Sequence, residues 1–281
     1  MKKLIHAFLA LSMVLFTMQS CEKQDKSIAE NASQETYSLG AELLSPAEYQ
    51  ALPKAQLPSI LKTDVTAHTL SYLPPVGNQG GEGSCVAFGT TYAARSIDWA
   101  YKNSQTSFSY STNIFSPEYV YNQVKVPGSC GSGAYVYKGL NLLVSQGVCR
   151  WFVMPYTDAA CKTKPNTTQK ADAAGYKISS YGTVPINVDA LKNLLVANKP
   201  VIVAGPVSSA FMNFGPNSAP LTNRVGSLGG HCYCLVGYDN AKNAFKFMNS
   251  WGTGWGESGF GWIDYGYIGQ WWTEAYTITT L

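Results

Sequence analysis

Gly80-Gly81-Glu82-Gly83-Ser84-Cys85-Val86-Ala87-Phe88 joins a stretch that must bend to one that must coil. The glycines relieve the steric limits on φ and mark a sharp loop. After them Phe88, Tyr92, Ala93, Ile97 and Ala100 recur at the spacing of one helix face, which predicts a helix of about 17 residues. Cys85 falls in its first turn. There the unpaired N–H groups carry positive partial charge, worth ~0.3–1 kcal/mol to a nearby anion. A thiol in that place is biased toward the thiolate, the nucleophilic form.

Working outward, Ser116-Pro117-Glu118 reads as an N-cap with proline at the first helical position. Tyr135 to Gln146 predicts a third helix stopped by Gly147, and Val188 to Asn198 a fourth stopped by Pro200. Beyond Pro200 the pattern changes. Val201 to Ala204, Tyr233 to Tyr238, Ala244 to Asn249 and Phe260 to Asp264 read as strands, with Asp239 to Asn243 as a turn. Helices first and strands later predict an α+β fold rather than an alternating α/β sheet. The 281 residues are 46% hydrophobic and 13% charged, with 7 Trp, 18 Tyr and 11 Phe, which excludes a disordered chain and a coiled coil. A net charge of +3 with no run of like charges points to no nucleic-acid partner.

A thiol nucleophile needs a base within hydrogen-bond reach, and the base needs a third group to fix its ring. Of the three histidines, His6 lies in an apolar N-terminal run and His68 in a segment without periodicity. His231 is left, at the start of a strand. Asn249 closes the next strand of a hairpin and can lie beside it across the sheet.

Three stretches now carry a resemblance. Pro75 to Phe88, with Gln79 six residues before Cys85, resembles the nucleophile segment of the papain-like cysteine peptidases. Gly230-His231 with Val236-Gly237-Tyr238, and Asn249-Ser250-Trp251-Gly252-Thr253-Gly254-Trp255-Gly256, are similar to that family's His and Asn segments. The spacing of Cys, His and Asn in this family is a known signature. The resemblance runs from about Leu73 to Ile268 and implies a two-lobed α+β fold: a helical lobe with the nucleophile, a sheet lobe with His and Asn, and the cleft between them. It implies a cysteine endopeptidase working through an acyl-thioester on Cys85, with His231 as acid and base. Asn249 would orient His231, Trp251 would cover that bond at the cleft, and Gln79 with the Cys85 N–H would hold the oxyanion. The pair would rest as thiolate and imidazolium. Cys130-Gly131-Ser132-Gly133 resembles the cleft wall that pairs with an extended peptide, Gly133 making the contact. Ala134, Tyr135 and Gly229 would border a roomy apolar pocket for the side chain two residues before the scissile bond.

The sequence departs from the family at two places. Glu82 stands where a disulfide cysteine is usual, and Val86 where an indole is usual. The family's long helical inhibitory segment has no counterpart between Cys21 and Leu61, so autoinhibition by that route is not expected. The alternatives are a catalytically impaired peptide-binding homologue and a cell-wall amidase-like or transglutaminase-like acyl transferase. The latter families lack the Asn-Ser-Trp-Gly run and the upstream Gln.

Residues 1–20 read as a secretory signal peptide: Lys2-Lys3, an apolar run, then Cys21. They resemble a bacterial lipoprotein signal, with Gln19 departing from the usual small residue and Cys21 as the lipidated residue. Residues 21–60 read as a lipid-anchored stalk or short pro-segment, and 61–281 as the peptidase domain. The expected address is extracytoplasmic, anchored at the outer membrane or cell surface, as a monomer acting on peptide or protein substrate. In an oxidising compartment a bridge is expected between Cys149 and Cys161, with Cys130–Cys161 as the rival. Cys232 and Cys234 share one strand face and read as buried apolar residues. No cofactor and no metal is expected, since His231 already has another use.

Overall fold

Strand-forming sequence in the second half of the chain builds one antiparallel sheet. The computed structural model describes residues 37–58 and 65–280. The strands are β1 Ala41–Glu42, β2 Ala67–Thr69, β3 Ala134–Tyr135, β4 Ile178–Thr183, β5 Val201–Val207, β6 Gly229–Asp239, β7 Ala244–Met248, β8 Phe260–Asp264 and β9 Glu274–Thr280. In the large sheet the neighbours run β4-β9-β5-β6-β7-β8, with β2 on the far end of β6. β1 and β3 form a separate parallel pair. Strand β6, eleven residues long, is buried over most of its length, as expected of a strand covered on both faces.

One of those covers is the nucleophile helix. It runs without a break through Cys85–Ala87, Phe88–Arg95 and Ser96–Lys102, and its central part takes the wider π form. Hydroxyls bond back to the main chain along it, Thr90 to the Val86 carbonyl at 2.7 Å and Ser96 to the Thr91 carbonyl at 3.4 Å. Such back-bonding competes with the regular helical ladder. Periodicity predicts the helix but not this widening. Helix and sheet approach most closely at Gly89, where an added Cβ would stand 2.8 Å from Cys232 Sγ. Only glycine fits there without a shift.

Proline and serine caps start helices where the sequence places them. Ser116 caps Pro117–Val124, and Ser45 with Glu48 forms a capping box on Pro46–Ala51. Val136–Ser145 and Val188–Val196 also form. Strands β4 and β9 and the helix Thr167–Ala174 lie outside the sequence reading. Their residues (Ser179, Ser180, Thr277, Thr279) are polar, and it is strand pairing with β5 and each other that makes them strands.

Of the residues 21–60 read as a stalk or short pro-segment, the described part, residues 37–58, packs on the domain, with Tyr49 donating to the carbonyls of Val184 and Ala275. The expected disulfide is corrected. The bridge joins Cys130 to Cys161, not Cys149 to Cys161. Cys149 is a fully buried free thiol in a segment pinned by the Ser116 N–H to its own carbonyl, so it faces the core. Loop length alone cannot say which way a thiol points. Cys232 and Cys234 are free and buried, as read from their alternation.

Candidate active site

The start of β6 and the end of β7 bring His231 and Asn249 together. His231 Nε2 stands 2.8 Å from Asn249 Oδ1. A carboxamide oxygen only accepts, so Nε2 carries the proton. His231 Nδ1 is buried without a partner and is the atom left to face a thiol. The Trp251 ring stacks on the imidazole at 4.5 Å between centroids and shields this bond from water.

Cys85 arrives from the other side. The backbone N–H groups of Gly40 and of Cys232, the residue after His231, approach its sulfur. Gln79 is fixed in register by its neighbours: its Oε1 accepts from the Ser250 hydroxyl at 2.7 Å, and its N–H bonds the Ser250 carbonyl. The amide Nε2 donates to the Glu82 carbonyl at 2.8 Å and keeps a second N–H for another acceptor. Ser250 is a functional neighbour the sequence reading missed. It also donates its backbone N–H to Asn249 Oδ1 at 2.8 Å. Its place beside Asn249 was the available signal.

The cleft is covered by the chain's own N-terminal segment. Tyr37 stacks on Trp251 at 4.6 Å. The Ser38 carbonyl accepts from Gln79 Nε2 at 3.1 Å and from Trp251 Nε1 at 3.2 Å, so it occupies the donor site assigned to an oxyanion. Leu39 lies over Gly229, and the Gly40 N–H bonds the Gly230 carbonyl. The Gly40 carbonyl accepts from Ala134 at 2.9 Å, and β1 then pairs in parallel with Ala134 and Tyr135 of β3. Gly133, Ala134, Tyr135 and Gly229, the residues read as bordering a substrate pocket, are the ones this segment lies against. The expectation concerned only the family's long helical inhibitory segment, and the cover here is of another kind. A short extended strand does the covering without a helical domain, and no helical periodicity marks it.

Covering changes the electrostatics. Burial pushes the Cys85 thiol up to about 12 and the His231 imidazole down to about 4. With the segment in place, burial disfavours the charged thiolate–imidazolium pair that the resemblance implies. Glu82 has no exposed surface, and its carboxyl lies within 4.8 Å of both sulfurs of the Cys130–Cys161 bridge. Burial, and then the nearby Glu118, raise it to about 7. His68 pairs with Tyr238 in β2, away from this site. Cys21 lies outside the described residues.

The model of the papain family cysteine proteases matches residues 61–278. The "Gamete and mating-type specific protein A" of Dictyostelium discoideum is 33% identical over 70% of this chain and 41% of its own length. Xylellain, a cysteine protease from Xylella fastidiosa, superposes with a TM-score of 0.70 at 25% identity, over 88% of this chain and 97% of its own. The Carica candamarcensis protease CMS1MS2, solved in complex with E-64, gives 0.62 at 22% identity over 76% and 98%, a likeness of fold. The chain spans between 41% and 64% of the length of the first four curated relatives it matches. With the family model over most of its length and Cys85, His231, Asn249 and Gln79 around one cleft, the chain belongs to the papain family of cysteine proteases.

Proposed function

We propose that the chain hydrolyses peptide bonds through an acyl-thioester on Cys85. The observation that carries this is His231, held through Nε2 by Asn249 with Nδ1 left buried and unpartnered, while the backbone N–H of the next residue, Cys232, approaches the Cys85 sulfur. In the uncovered cleft Cys85 attacks the substrate carbonyl, and the imidazolium protonates the leaving amine. Water then attacks the thioester while His231 takes its proton. Gln79 Nε2 and the Cys85 N–H hold the oxyanion in both steps. Asn249 orients the ring. Substrate must displace residues 37–44 before it reaches the sulfur, so the covered form is latent. Digestion of a peptide library, with and without the thiol-reactive epoxide E-64, tests this: cleavage blocked by the epoxide and absent in Cys85→Ala is expected. Full cleavage by Cys85→Ala would refute it.

The proposed place of action is outside the cytoplasm, as a monomer tethered through an acylated Cys21. The support is the Lys2-Lys3 start, the apolar run and the cysteine that follows. Cys21→Ala should leave the membrane fraction. Unchanged detergent partitioning of that variant would rule the anchor out.

A further inference from the structure

Glu82 is buried, and neither oxygen of its carboxyl has a hydrogen-bond partner. The Tyr156 hydroxyl beside it is committed elsewhere, to the Gln79 carbonyl and to the Ser84 hydroxyl, each at 2.7 Å. A buried polar group left in this way calls for an explanation. One carboxyl oxygen and the sulfurs of Cys130 and Cys161 lie within 4.8 Å of one another, and among the described residues no other group of three His, Cys, Asp or Glu side chains does so. Cys161 is buried, while Cys130 keeps some exposed surface. The bridge is therefore open to solvent on the Cys130 side.

As a disulfide the pair offers no thiolate to a metal ion. Reduction by small thiols changes that. Two thiols give two electrons to the bridge and join as a disulfide, and Cys130 and Cys161 each take a proton. Binding of Zn²⁺ then releases those two protons and the Glu82 proton to water. Zinc holds thiolate sulfur at about 2.3 Å and carboxylate oxygen at about 2.0–2.2 Å, so its ligand atoms stand within about 4.6 Å of one another. The three atoms here are already gathered on that scale, and the sulfurs need only part once their bond is gone. A water from the Cys130 side would complete the tetrahedron. Glu118 and Asp158 face Glu82 and add negative potential that favours a dication.

We infer that Glu82, Cys130 and Cys161 form a zinc site when the bridge is reduced, the ion taking the place of the S–S bond. The expectation of no metal turned on His231 having another use, and this site needs no histidine. Cys85 must itself be a thiol to attack a carbonyl, so on the peptidase reading the chain works where thiols are present. There the Cys130–Cys161 bridge meets the same thiols. The cleft wall needs a fastening in both states. The Cys130 carbonyl accepts the Gly83 N–H at 2.9 Å and the Tyr121 hydroxyl, and Gly133, three residues on, lies against the covering segment. Zinc would also tie the nucleophile loop to that wall through the Glu82 side chain, a link the disulfide does not make.

The test uses the full-length chain as Cys85→Ala, which takes the reactive thiol out of the readout, reduced by a phosphine. Cobalt(II) is the probe, because tetrahedral thiolate ligation gives visible bands and a sulfur-to-cobalt charge-transfer band; zinc should bleach both. One cobalt per chain is expected after reduction and none in the oxidised chain. Glu82→Gln keeps both thiols but offers a poor ligand. It should weaken binding by at least the roughly 10–100-fold that loss of a mere outer-shell partner costs. Cys161→Ser should abolish the charge-transfer band, with Cys130→Ser as the second variant should the first not fold. Absence of cobalt bands from the reduced chain overturns the inference, as does equal affinity in Glu82→Gln. A charge-transfer band that persists in Cys161→Ser overturns it too, since the metal would then sit on Cys149, Cys232 or Cys234. None of these outcomes touches the peptidase reading, which Cys85-dependent cleavage decides.

Discussion

Each residue around Cys85 has a separable task. Gln79 supplies one oxyanion donor, so Gln79→Ala should lower kcat by roughly 10²–10³ with KM little changed. Asn249 positions His231 without joining the bond changes, so Asn249→Ala should cost less. Single-turnover kinetics on the two variants checks the order, and a larger loss for Asn249→Ala would show that ring orientation dominates. Glu82 yields a pH prediction of its own. Its carboxyl moves from an ordinary 4.5 to about 7 in the folded protein, chiefly by burial. The folded chain therefore holds a proton that the unfolded chain has released, and this group's contribution falls as pH rises from about 4.5 to about 7, then stays constant. Glu82→Gln cannot titrate. The difference between variant and wild-type denaturation midpoints should grow across that window in the variant's favour. A difference that stays flat from pH 4.5 to 7 would contradict the burial of this carboxyl.

The nucleophile helix and β6 work as a pair of elements, and their separation sets where the sulfur meets the imidazole. Gly89 is the contact that sets it, with Cys232 Sγ 2.8 Å from an added Cβ. Gly89→Val forces the elements apart and should destabilise the fold by about 1–3 kcal/mol, the usual range for overpacking. The same displacement should lower kcat at temperatures where the variant is folded, because a small misplacement of reacting atoms is costly. Thermal melts and kcat measured together check this. Unchanged kcat in a folded, destabilised variant would mean that the helix N-terminus is held by its loop and not by the sheet.

Across the whole molecule the N-terminal segment ties the two halves of the cleft together, from Trp251 and Gln79 at one end to β3 and Glu274 at the other. Gly40 is its tightest point: an added Cβ would stand 2.0 Å from the Gly83 carbonyl oxygen. Gly40→Val should expel the segment while leaving every group of the proposed machinery in place. Water then reaches Cys85 and His231, and the burial that holds the thiol up at about 12 and the imidazole down at about 4 is relieved. Alkylation of Cys85 by E-64 should be faster than in wild type, and its onset should move to lower pH. Identical rates and onsets would show that residues 37–44 do not control access.

The order Gln79, Cys85, His231, Asn249 and the Asn-Ser-Trp-Gly run were legible without coordinates, because nucleophile, base and orienting group are side-chain chemistries and their spacing is written in the chain. The amphipathic nucleophile helix and the apolar strands β5 to β8 were legible for the same reason, since burial of one face imposes a period. Periodicity is silent on the rest. Strands β4 and β9 are polar and owe their conformation to partners distant in the chain. The partner of Cys161 depends on which way Cys149 faces. Residues 37–44 carry no pattern, yet the cleft shapes them into a covering strand. Glu274, 43 positions after His231 and polar among strand residues, looks like a surface carboxylate until strand pairing buries it against the Leu44 N–H of the covering segment. Local order fixes which groups are present and which segments coil or extend; only the long-range pairing of backbone N–H and C=O groups decides which of them share a buried site.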